Sequence, residues 1–189
     1  RRASCGYTVH FVELCRDFDY DLGLTATPYR ELPQVKLLTT TPAAEYLFRR
    51  GIRKEITAQY NVTTAADNPN QLIFPFYTRH ANADGTEYEK MEFVKYRLIN
   101  YDPKRDGAKE WCEKDCKPIL FGMNHCNPEI SRTLIITEGQ IDSLSVASAG
   151  IPNAVSVPNG ARGFTWVQHC KEFVNQFDTI VAFGDCERG

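Results

Sequence analysis

Between residues 133 and 183 three short apolar runs recur with helix-length segments between them, and this alternation restricts the possible folds more than any other feature of the chain. Thr133-Leu134-Ile135-Ile136-Thr137, Ala154-Val155-Ser156-Val157 and Thr179-Ile180-Val181-Ala182-Phe183 are rich in β-branched residues and too short for buried helices, so they read as strands. Gln140–Ala149, closed by Gly150, and Thr165–Gln176 read as the intervening helices. Strand, helix, strand, helix, strand is the order of a parallel sheet with flanking helices, an α/β arrangement. Sheets of this kind take their ligands at the carboxyl ends of the strands.

The preceding residues follow a different pattern. Thr41-Pro42-Ala43-Ala44-Glu45-Tyr46-Leu47 supplies an N-cap and a proline at the first helical position, and Gly51 ends the helix. Arg53–Tyr60 reads as a second helix. From Leu72 the period becomes that of strands: Leu72–Tyr77, a turn at Asn82-Ala83-Asp84-Gly85, then Met91–Ile99, an antiparallel hairpin. Alternation in the second strand puts Phe93, Lys95 and Arg97 on one face and Val94, Tyr96 and Leu98 on the other. Asp102–Lys117 reads as a charged, cysteine-bearing loop. The expected organisation is a connector over 1–40, a smaller mixed α+β lobe over 41–130, and the parallel unit over 131–189.

Composition narrows the function classes. The net charge of −2 over 189 residues excludes a uniformly basic nucleic-acid coat but leaves room for a local basic face. The seven cysteines are odd in number and irregularly spaced, unlike a secreted disulfide framework, which points to a reducing cytoplasm. No run of eighteen apolar residues and no apolar signal core occurs, so no membrane association is expected. Cys112, Cys116, His125 and Cys126 match no common zinc spacing and read as structural.

Acidic residues gather where the parallel unit has its ligand edge. Glu138 follows the first strand, Asp142 lies one helical turn on, and Asp185 and Glu187 follow the third strand. Carboxylates brought to one edge suit Mg²⁺ or Mn²⁺. Each acid also has a plain structural reading: Glu138 caps the following helix, and Asp185 and Glu187 are solvated loop acids. Gly139 is expected to permit a tight turn after the strand.

Ile136-Thr137-Glu138-Gly139-Gln140-Ile141-Asp142, followed by Phe183-Gly184-Asp185-Cys186-Glu187, resembles the Toprim domain of bacterial primases, topoisomerases and small nucleases. The usual second element is Asp-x-Asp, and here a glutamate stands at position 187. Upstream, Tyr46-Leu47 with Arg50-Gly51-Ile52 and Tyr60, the strand Val94-Lys95-Tyr96-Arg97, and Lys117-Pro118-Ile119-Leu120-Phe121-Gly122 resemble the core of bacterial and phage DNA primases, above all the primase-helicases of phages and their mitochondrial relatives.

The resemblance implies a nucleotidyltransferase of DNA replication, a DNA-directed RNA polymerase making RNA primers by two-metal chemistry on single-stranded DNA from ribonucleoside triphosphates, with a fused or associated helicase. It casts Asp185, Glu187 and Glu138 as ligands of Mg²⁺ or Mn²⁺ and Glu138 and Asp142 as catalytic residues, Glu138 sharing a metal or accepting the hydroxyl proton and Asp142 supporting the metal cluster or its water shell. Lys95, Arg97, Arg50 and Arg162 become candidates for nucleotide or template phosphates, with the template across a groove between the lobes. Ala3-Ser4-Cys5 resembles the tail of an upstream zinc ribbon, so zinc is expected only in such a ribbon and not at Cys5. The 189 residues alone are expected to be inactive, the family placing a further helix and acid beyond Gly189. The alternatives are a Toprim nuclease or topoisomerase fragment and a non-catalytic single-strand-binding module.

Overall fold

The computed structural model describes residues 7–8, 41–160 and 163–184. Asp185, Glu187, Arg162, Cys5 and the segment 9–40 lie outside the described residues. The elements in chain order are β1 (Tyr7–Thr8), α1 (Pro42–Arg49), α2 (Lys54–Gln59), β2 (Thr63–Thr64), β3 (Gln71–Ala81), β4 (Glu87–Leu98) and β5 (Glu110–Cys112). A 3₁₀ turn (Met123–His125), β6 (Thr133–Thr137), α3 (Gln140–Ser148), β7 (Ala154–Ser156), α4 (Val167–Val174) and β8 (Thr179–Phe183) complete it. Two compact units meet in sequence between Lys117 and Pro118, upstream of the boundary expected near residue 130.

The unit ending at Lys117 holds α1, α2 and an antiparallel sheet in the order β2-β3-β4-β5. Thr41 caps α1, its hydroxyl accepting the Ala44 N–H at 3.2 Å. The helix closes where Gly51, at φ +83°, turns the chain so that the Ile52 N–H reaches the Leu47 carbonyl at 3.2 Å. The β3/β4 hairpin is longer than its apolar part, because the polar residues 78–81 and 87–90 continue the ladder to a turn at 82–86. Pro75 sits in β3 beyond the reach of β2, which pairs only with Leu72 and Ile73, so a residue without an N–H is tolerated there. Phe74, Phe76, Leu72 and Leu47 are fully buried, and Phe76 meets Phe93 edge to face at 4.9 Å.

Within the expected loop at 102–117, Glu110–Cys112 form β5, pairing with Lys95, Tyr96 and Arg97 of β4. Three residues give too little periodicity to be read as a strand. Cross-strand side chains hold the segment: Trp111 stacks on Tyr96 at 5.4 Å, and the Tyr96 hydroxyl donates to Glu113 Oε1 at 2.7 Å. Burial, then the bond to the Glu113 carboxylate and its charge, pushes the Tyr96 phenol well up, so it stays protonated.

The second unit is a four-stranded sheet in the order β1-β8-β6-β7. β6 is central and parallel to both neighbours, while β1 runs antiparallel along β8 with Tyr7 opposite Ala182. The strand limits at 133–137 and 179–183 are those expected from sequence; α3 and α4 are shorter than expected, and β7 stops at Ser156. Leu134, Leu144, Val155 and Cys170 form its buried interior. Residues 118–126 belong here, with Phe121 bridging to Ser156. No helix among the described residues is long and apolar enough to cross a membrane.

Candidate active site

The turn from β6 into α3 carries Glu138, and buried polar side chains fix it. The Thr137 hydroxyl lies 3.1 Å from both the Gly139 and Val155 carbonyl oxygens. Gln140 Nε2 donates to the Val157 carbonyl at 2.8 Å and to Ser156 Oγ at 3.2 Å, tying the start of α3 to the end of β7. Thr137, Gln140 and Ser156 are all buried, so each of these bonds is protected from water. Gln140 and Ser156 have no signal in a sequence reading beyond being polar residues beside apolar ones.

Glu138 stands out against this network, because among the described residues its carboxylate has no hydrogen-bond or ion-pair partner. A Cβ built on Gly160, itself at φ +71°, would stand 4.0 Å from Glu138 Oε1, which places the carboxylate beside the 158–160 turn that follows β7. Parallel pairing of Thr137 with Phe183 brings Glu138 and Gly184 off adjacent strands at the same level, and Asp185 is the next residue of the chain.

Asp142 is occupied differently. Its Oδ2 accepts the Gly139 N–H at 3.2 Å, so it caps α3 from the third helical position. Helix capping, the plain reading set against Glu138, thus falls to Asp142. Gly139 itself, at φ −113° and ψ 151°, has a backbone open to any residue, so the turn does not demand glycine for its dihedrals. What excludes a side chain is Asp142: an added Cβ would lie 2.7 Å from Oδ2.

The basic candidates of the other unit are also engaged. Lys95 is only 8% exposed, so it is not a solvated strand cation. Its Nζ meets Glu110 Oε2 at 2.8 Å, and Arg97 Nη1 pairs with Glu110 Oε1. Burial raises the pKa of Glu110, but the Lys95 ammonium, and after it Arg97, outweigh burial and hold the carboxyl below its ordinary range. Glu110 has no signal in a sequence reading, because the strand that carries it is too short to show a period. Arg50, the C-cap of α1, is exposed; its guanidinium donates to the Tyr46 hydroxyl at 3.2 Å and lies over that ring at 5.4 Å. Cys112 is exposed, the Cys116 thiol donates to the Lys114 carbonyl at 3.5 Å, Cys126 is buried against the Gly122 carbonyl, and among the described residues no three His, Cys, Asp or Glu side chains form a metal-binding group.

No protein-family model matches the sequence, and no curated protein matches it. Solved structures do. The primase fragment of the bacteriophage T7 primase-helicase protein aligns with 86% of this chain and 64% of its own, at TM-score 0.54 and 20% identity. The fold is that of a primase core. The zinc-binding and RNA polymerase domains of Aquifex aeolicus primase show the primase fold with the same TM-score, 0.54, at 17% identity over 72% of this chain and 42% of theirs. A DnaG primase catalytic domain bound to single-stranded DNA gives 0.51 and 16% over 75% and 54%. This chain therefore spans about 42% to 64% of the length of the primase structures it matches.

Proposed function

We propose that the chain is the larger part of the polymerase core of a Toprim-type DNA primase, working in DNA replication in the cytoplasm and joined to or paired with a replicative helicase. The observation that carries this reading is the primase fold over 86% of the chain combined with a Glu138, at the carboxyl end of the central strand, that has no partner among the described residues. The substrates would be ribonucleoside triphosphates and a single-stranded DNA template.

The donor chemistry fits a hard divalent cation. Glu138 offers a carboxylate with no competing partner among the described residues, and Asp185 and Glu187 are the acids that follow the adjacent strand in sequence. Glu138, Asp185 and Glu187 would hold Mg²⁺ or Mn²⁺, which neutralises charge on transferring phosphates when bound. Thr137, Gln140 and Ser156 hold the backbone on either side of Glu138, so its carboxylate is presented from a fixed turn. Asp142 keeps the first turn of α3 in place and acts on Glu138 through that turn. In the reaction a 3′-hydroxyl would attack the α-phosphorus of a nucleoside triphosphate and pyrophosphate would leave, Glu138 either sharing a metal or accepting the hydroxyl proton. Lys95 and Arg97 would bind phosphate of nucleotide or template.

The test is template-dependent primer synthesis by a chain extended past Gly189, with Mg²⁺ or Mn²⁺ and labelled ribonucleotides, beside Glu138→Gln. Activity is expected in the extended parent, with a loss of about 100-fold or more in the variant and an unchanged melting temperature. A cooperatively folded extended chain that makes no primer on any template would overturn the reading; single-strand binding without metal or synthesis would favour a binding module.

A further inference from the structure

Lys95 and Arg97 are not an open phosphate site: a carboxylate of the chain already fills it. Lys95 is buried, its Nζ 2.8 Å from Glu110 Oε2, and Arg97 holds the other oxygen of the same group. One acid thus faces two cations, leaving the three side chains together a net positive charge. The match is also incomplete, since Arg97 Nε is buried and has no hydrogen-bond partner among the described residues. A buried donor left unpaired in this way has room in its hydrogen bonding for one more acceptor oxygen.

The exchange needs little movement. Glu110 lies on an edge strand whose flanks are fastened by backbone bonds, Leu98 N–H to the Lys109 carbonyl at 3.0 Å and Glu113 N–H to the Val94 carbonyl at 3.2 Å. The exchange therefore asks only for rotation of the Glu110 side chain, which is about a third exposed, with β5 left in place. A terminal phosphate brings three acceptor oxygens and more charge than a carboxylate, and a backbone phosphodiester brings the same single charge with tetrahedral oxygens, so either is a like-charged rival of Glu110 for Lys95 and Arg97.

We infer that Glu110 is a resident competitor for the phosphate oxyanion that Lys95 and Arg97 bind, setting the affinity of this site by occupying it until a phosphate displaces it. The choice of phosphate as the ligand rests on the primer-synthesis reading; the competition rests on the geometry alone. A site closed by its own carboxylate binds with an affinity reduced by the fraction of molecules in which that carboxylate has swung away.

The experiment measures binding, not synthesis, on the 189-residue chain and on Glu110→Gln, titrated separately with ATP and with an oligo(dT) single strand at fixed salt. Glu110→Gln, which keeps shape and removes charge, should tighten one ligand at least about tenfold. Tightening confined to ATP assigns the site to nucleotide; tightening confined to oligo(dT) assigns it to template. The double variant Lys95→Gln with Glu110→Gln should lose the gain, which separates competition from a general change of surface charge. Should Glu110→Gln fail to fold, Glu110→Asp keeps the counter-charge at a shorter reach and should tighten the same ligand about threefold. No tightening of either ligand in a folded variant, or a gain that survives loss of Lys95, would overturn the inference. Neither result depends on primers being made, so failure here leaves the functional reading standing, and failure of synthesis leaves this one.

Discussion

Replacing Gly139 by alanine should destabilise the protein, yet the same replacement should help once Asp142 is gone. The backbone at 139 suits alanine, which alone would favour Gly139→Ala by about 0.4–1 kcal/mol through the unfolded chain. The added Cβ, however, would stand 2.7 Å from Asp142 Oδ2, so the carboxylate must leave the Gly139 N–H that it accepts at 3.2 Å. Losing a cap of this kind costs about 0.5–2 kcal/mol, and the displaced charge loses part of its favourable interaction with the helix terminus, about 0.3–1 kcal/mol. Gly139→Ala should therefore cost about 1 kcal/mol net, a fall of about 2–4 °C in melting temperature for a chain of this size. Asp142→Ala should cost about the same, and adding Gly139→Ala to it should be neutral or stabilising, because nothing remains to collide with. Urea unfolding of the four proteins closes the cycle. If Gly139→Ala costs as much in the Asp142→Ala background as in the parent, the close approach is not the reason for glycine.

Three further outcomes are expected. Lys95→Ala should lower stability by about 1–3 kcal/mol in urea unfolding, because it leaves Glu110 with only Arg97; a change below about 0.5 kcal/mol would mean the pair is solvated. Glu110 titrates below its ordinary value of 4.5 in the folded chain, so its contribution is complete above that pH and is lost as the pH falls through the folded value. Stability curves of parent and Glu110→Gln should then converge on acidification, and parallel curves from about pH 6 to about pH 3 would refute the pairing. Asn153, at φ +57°, accepts the Asn127 N–H at 2.8 Å and donates to the Ser131 carbonyl at 2.8 Å. Asn153→Ala should cost about 2–4 kcal/mol and Asn153→Gly less, since glycine keeps the dihedral and loses only the bonds; equal costs would remove the backbone part of the argument.

The parallel unit is legible in the sequence because each of its strands is a continuous β-branched run bounded by helix signals, and the limits of β6 and β8 follow directly from those runs. Glu138 is legible for the same reason, standing one residue past such a run. β5 is not, because three residues held by a Tyr96–Trp111 stack and by Glu110 and Glu113 leave no period to detect. Its absence from the pattern misplaces Lys95: alternation gives the face of that residue correctly but says nothing of the strand that closes over it. Asp142 reads by its charge as chemistry, while its position in the first turn of α3 makes it a cap. The extension of the β3/β4 hairpin beyond Tyr77 is hidden by polar residues, which pair through the backbone without help from burial.

The two residues of β1 have a practical meaning for anyone trimming this protein. A three-stranded parallel sheet has two open sides, each a row of unsatisfied amide and carbonyl groups able to pair with another molecule. Here Phe121 blocks part of one side through its bridge to Ser156, and Tyr7-Thr8 run along the other, against Val181 and Ala182. A chain cut to begin at residue 41, where the helical signals start, would keep every candidate catalytic residue and still lose the guard on β8. Such a trimmed protein would be expected to self-associate through that bare strand, so a poor yield from it would report on aggregation and not on the integrity of the acidic turn.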